Sequence, residues 1–84
     1  MEQKVILKHY KEYLDQELAA AKRIFNHPTR IFYDAGEIYS QTIQRVLGAS
    51  TFVQNLGVDY FVIDSCYEEF KIKLSKLFDK RKQV

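Results

Sequence analysis

The residues able to do chemistry are few. His9 and His27 are the only histidines and Cys66 the only cysteine. The histidines stand 18 positions apart, one in a helical pattern and one beside Pro28, without the close spacing of a ligand pair. Glu68 and Glu69 are adjacent, so on a helix they point about 100° apart and form no carboxylate dyad by themselves. Glycine-rich phosphate loops, paired cysteines and His-x-x-x-His spacing are all missing from the sequence. Glu17 is the one oddity. By helical phase it falls inside an apolar stripe, between the directions of Ile6 and Tyr10. A buried carboxylate can be functional, but such a group more often bonds a tyrosine hydroxyl or a basic partner. No catalytic residue, metal ligand or cofactor is expected, and an enzyme is not the expected reading.

Those residues sit on three helical patterns. Stepped at about 100° per residue, residues 3–25 gather Ile6, Leu7, Tyr10, Tyr13, Leu14, Leu18, Ala21, Ile24 and Phe25 on one side. Asn26-His27-Pro28 ends this helix, because proline disfavours helix in the residue before it. A second helix over about 34–56 starts from Thr29 or from an Asp34/Glu37 capping box. Its apolar side holds Ala35, Ile38, Tyr39, Ile43, Val46, Ala49, Val53 and Leu56. The stripe keeps its phase across Gly48, so one continuous helix is expected despite the helix cost of glycine, about 1 kcal/mol.

Gly57 reads as the cap of the second helix and Asp59 as the N-cap of the third. Val58 and Ile63 stand at hydrophobic-staple positions around Asp59. The third helix, about 60–80, has a core side of Tyr60, Ile63, Cys66, Tyr67, Phe70, Leu74, Leu77 and Phe78. Acids gather toward its start and bases toward its end, matching the helix dipole. A strand over Tyr60-Phe61-Val62-Ile63 is permitted by β-propensity, but the helical period continues for four more turns. The expectation is an all-α, single-domain, three-helix up-down-up bundle over residues 1–84.

Composition bounds the rest. A chain of 84 residues with 46% hydrophobic and 29% charged residues reads as one soluble globular domain. No apolar run approaches the roughly 18 residues that span a membrane, and Val5-Ile6-Leu7 is too short for a signal-peptide core. A single cysteine forms no internal disulfide, so a reducing cytoplasm is the expected setting. The net charge of +2 conceals an acidic middle, −4 over residues 26–70, and a basic tail, +5 over residues 71–84.

Leu56-Gly57-Val58, followed by apolar Ile63 and Cys66, resembles the middle of a helix-turn-helix over about 20 residues. That resemblance implies a following helix that reads the major groove with its early residues. Here those positions are Asp59, Phe61, Val62, Asp64 and Ser65, none of them Arg, Lys, Gln or Asn. Val53 also stands where the family prefers a small residue. The simpler expectation is an interhelical corner. Nucleic-acid binding remains the alternative class, through this helix or through Lys73, Lys76, Lys80, Arg81 and Lys82 on the basic tail. Ile72, Leu74, Leu77 and Phe78 interleave with those bases, as on the wet side of a helix.

The favoured reading is protein–protein contact or self-association. Twelve aromatic residues, six Tyr and six Phe, are many for so small a core. Phe32, Tyr33, Phe52 and Phe61 fit the stripes poorly. Phe61 and Ile72 point together, nearly opposite the core side. Leu47 leaves the second stripe, and Phe52 sits at its margin beside Arg45. Phe61, Ile72, Leu47 and Phe52 are therefore the expected contact residues. Short enzyme-free chains of this kind are typical of adaptor, accessory or inhibitor proteins, including those of phages and mobile elements, by analogy alone.

Overall fold

The computed structural model describes residues 2–26 and 35–82, with side chains through residue 77 except that of Ala35. Three helices result: α1 (Gln3–Asn26), α2 (Ala35–Asn55) and α3 (Tyr60–Lys82). Each of the three packs against the other two, and the described residues contain no strand. The molecule measures 43 × 18 × 17 Å. Helices of 21 to 24 residues are about 32–36 Å long at a rise of 1.5 Å per residue. They fit only along the long axis, which gives an all-α up-down-up bundle.

The core is the set of stripes that helical phase singles out. Ile6, Tyr10, Leu14, Ala21 and Phe25 of α1 meet Val46 and Val53 of α2 and Ile63, Phe70 and Leu74 of α3. Leu74 and Val46 are wholly enclosed. α2 runs unbroken through Gly48, which lies exposed with open space where a Cβ would stand. The buried Tyr10 phenol reaches Ser50 Oγ at 2.6 Å. Ser50 already donates to the Val46 carbonyl at 2.8 Å, so the phenol is the donor and Ser50 the acceptor. This satisfies the polar atom that the core would otherwise strand.

Two residues assigned by phase to the core are outside it. Leu56 and Tyr60 are both about half exposed, at 49% and 54%. They flank the corner: Leu56 borders the gap left open between α1 and α2, and Tyr60 is the first residue of α3. Conversely, Thr42 is buried on the inner side of α2. Its Oγ1 donates to the Ile38 carbonyl 2.8 Å away, which removes its polar cost. Thr29, Asp34, Phe32 and Tyr33 and the side chain of Phe78 lie outside the described residues, as does the end of the first helical pattern at His27-Pro28.

The corner is built as its residue types dictate. Gly57 takes φ +99°, a left-handed conformation that suits glycine. Its N–H donates to the Gln54 carbonyl at 2.9 Å, and the Val58 N–H donates to the Val53 carbonyl at 3.4 Å. That pair of bonds is a Schellman motif, with its hydrophobic contact supplied by buried Val53 and Val58. Asp59 Oδ1 then accepts from the Phe61 N–H at 2.8 Å and caps α3. Val58 and Ile63, the staple pair, are both buried. The first turn of α3 holds no acid, so the cap is the negative group at that dipole end. Gln3 Nε2 donates to the Gly57 carbonyl at 2.7 Å and ties the start of α1 to the corner.

Candidate protein-contact surface

Among the described residues the chemically capable side chains stay apart. Among the described residues no group of three His, Cys, Asp or Glu is placed to hold a metal ion. His9 lies 3.7 Å from Glu12 on the open side of α1. Cys66 is free and half-buried, in a shallow α1–α3 depression whose rim alternates Lys11, Asp15, Glu69 and Lys73. Among the described residues no helix is long and apolar enough to cross a membrane.

Glu17 has a partner. Arg45, 28 positions away on α2, donates from Nη2 to Glu17 Oε2 at 2.9 Å and from Nε at 3.1 Å to the same oxygen. The carboxylate is 15% exposed and the guanidinium side chain 51% exposed, so the pair closes the α1–α2 seam at the surface. The bond from Glu17 raises the Arg45 pKa further, so the cation is permanent. Burial, followed by the Glu17 charge, pushes the Tyr13 phenol above its ordinary range. The acid in the apolar stripe is therefore a clasp between two helices.

One helical turn beyond this clasp, α1 and α2 open into an apolar groove of about 440 Å³. Ile6, Tyr10 and Val53 form its floor, Tyr13 and His9 its α1 wall, and Phe52 and Leu56 its α2 lip. Phe52 is 64% exposed. Ala49 lines the same α2 wall with only a methyl group, which leaves the space unfilled. At the same end of the bundle Phe61 is 80% exposed, edge-to-face with Tyr60 at 5.9 Å between ring centroids. Val62 and Val5 add exposed aliphatic surface.

All four residues singled out by phase, Phe61, Ile72, Leu47 and Phe52, are solvent-exposed. The fold does not bring them into one patch. Phe52 belongs to the α1–α2 groove, and Phe61 and Ile72 stand one behind the other on the outer face of α3. Helical phase sets Leu47 about 140° from Phe52 around α2. Helical phase does not reveal the exposure of Leu56 and Tyr60 or the groove itself. The available signal was Ala49, a small residue on an otherwise bulky stripe.

The basic tail is partly occupied by its own helix. Lys73 Nζ lies 3.3 Å from Glu69 and Lys71 Nζ 3.1 Å from Glu68. Lys71 also stands over the Tyr67 ring, 4.9 Å from its centroid. Lys76 is exposed. The side chains of Lys80, Arg81 and Lys82 lie outside the described residues. The exposed positions that open α3 remain Asp59, Tyr60, Phe61 and Val62. α2 and α3 share the long axis of the molecule, the relation of a bundle corner; a helix-turn-helix pair crosses at a steep angle.

No protein-family model matches the chain, and neither a curated protein nor a solved structure is significantly similar to it.

Proposed function

We propose that this protein acts by protein–protein contact, as a small non-catalytic adaptor, accessory or inhibitor protein. The observation that carries the reading is the apolar groove between α1 and α2, with Phe52 and Leu56 at its lip and Phe61 at the adjoining corner. Burial of large apolar groups is the main source of folding energy, yet these groups are left in water at one end of the bundle. An opening lined by aliphatic and aromatic groups accepts the apolar face of a helix or an aromatic anchor from a partner. A lone free cysteine accords with a reducing, cytoplasmic setting. Phage or mobile-element origin is part of the proposal by analogy with other short enzyme-free chains.

Affinity capture from the native host, using wild-type protein beside Phe52→Asp and Phe61→Asp, tests this. A partner retained by the wild type and lost from Phe52→Asp, with equal helicity by circular dichroism, supports the reading. Equal recovery by both would sink it. Titration with random duplex DNA at two salt concentrations tests the competing class, for which affinity falls steeply with salt.

A further inference from the structure

We infer that the outer face of α3 pairs with the same face of a second copy of this chain, antiparallel and about a two-fold axis. This deepens the protein-contact reading and rests on it. The face is defined by Phe61, Ser65, Glu68 and Ile72, whose spacings of four, three and four place them in one stripe on a helix. It lies nearly opposite the buried side of Ile63, Phe70 and Leu74. Phe61 and Ile72 are 80% and 56% exposed, so neither is required by the core.

An isologous contact needs a surface complementary to itself, and the charge on α3 has that property. Along this face the first half of α3 carries Asp64 and Glu68 and the second half Lys71 and Lys76, while Glu69 and Lys73 turn toward α1 and pair with each other. A parallel pair would set acid beside acid and base beside base. An antiparallel pair sets the acidic half of each helix along the basic half of the other, and also opposes the two helix dipoles.

The apolar groups fix the register. A two-fold axis between Cys66 and Tyr67 lies midway between positions 61 and 72, so Phe61 of each copy meets Ile72 of the other. Such an axis also keeps each flank of the stripe against the same flank of its mate. Asp64 and Lys71 share a flank, and in this register each Asp64 lies within about one helical turn of the other copy's Lys71. Lys71 then stands between that carboxylate and its own Glu68, 3.1 Å away. Ser65 and Glu68 occupy the middle of the seam. With two apolar contacts around a polar centre, the dimer dissociates on dilution.

Sedimentation equilibrium of wild-type protein, of Phe61→Lys, of Ile72→Asp and of an equimolar mixture of the two variants tests the arrangement. Both positions are exposed, and circular dichroism checks that both variants fold. Each variant alone should dimerise about tenfold more weakly than wild type, as expected for loss of an interface anchor. The mixture should recover, because its mixed dimer sets the introduced lysine of one chain against the introduced aspartate of the other and keeps one intact Phe61–Ile72 contact. Wild-type protein that stays monomeric at its highest attainable concentration overturns the pairing. So does a dimer that neither variant weakens, or a mixture no tighter than its components. If the pairing fails while Phe52→Asp still abolishes capture from the host, the general protein-contact reading survives without it.

Discussion

Glu17 shows how little a residue's type says about its role before its neighbours are known. Its place in an apolar stripe is legible from helical phase. Its partner is not, because Arg45 is 28 positions away and meets it only once α1 and α2 pack. Two guanidinium nitrogens converge on the carboxylate, but the guanidinium side chain is half exposed, so water screens the pair. A double-mutant cycle of Glu17→Gln and Arg45→Ala, read by urea denaturation, should give a coupling of about 0.5–1 kcal/mol that shrinks in high salt. The tyrosines make a second residue-scale prediction. Burial raises the pKa of Tyr10, Tyr13 and Tyr67. The folded state therefore favours the neutral phenol more than the unfolded chain does. That stabilisation is complete below the ordinary tyrosine pKa of about 10 and is lost as pH rises through the higher folded values. Urea midpoints measured from about pH 8 to about pH 11 should fall at the alkaline end. Tyr10→Phe should make that fall shallower.

At the scale of elements, nearly everything local was readable and most of what depends on neighbours was not. Gly57, Asp59 and the Val58/Ile63 pair specify the corner because capping is set by bonds within a few residues. Leu56 and Tyr60 break the phase rule for a physical reason. A stripe marks a direction around a helix, and burial also requires a neighbour close enough to close over the side chain, which the open α1–α2 groove does not give Leu56. Thr42 breaks it the other way, since bonding to the Ile38 carbonyl lets a hydroxyl enter the core. Gly48 and Gly57 make opposite predictions. Gly48→Ala adds a methyl where nothing stands within 4 Å and should stabilise the fold by up to about 1 kcal/mol. Gly57→Ala forces an L-residue to φ +99° and should cost about 1–2 kcal/mol. Thermal melts of the two variants should shift in opposite directions. Equal shifts would mean that the corner is not held in the left-handed conformation.

For the whole molecule, the side chains that make the fold and those proposed to meet a partner are separable sets. Leu74 is wholly enclosed among the three helices, and truncating it leaves a cavity that the bundle cannot readily fill. Leu74→Ala should cost about 2–5 kcal/mol, a large share of the stability of so small a domain. Phe52, Phe61 and Ile72 contribute exposed area and little enclosure. A triple Phe52→Ser, Phe61→Ser, Ile72→Ser variant should therefore stay within about 0.5 kcal/mol per site of wild type, with unchanged helicity, and should lose association. Leu74→Ala should do the reverse, weakening the fold while the population that remains folded still associates. Urea denaturation paired with sedimentation on the same samples distinguishes the two. A triple variant that unfolds as readily as Leu74→Ala would show that these apolar groups hold the bundle together, which would remove the ground for reading them as a contact surface.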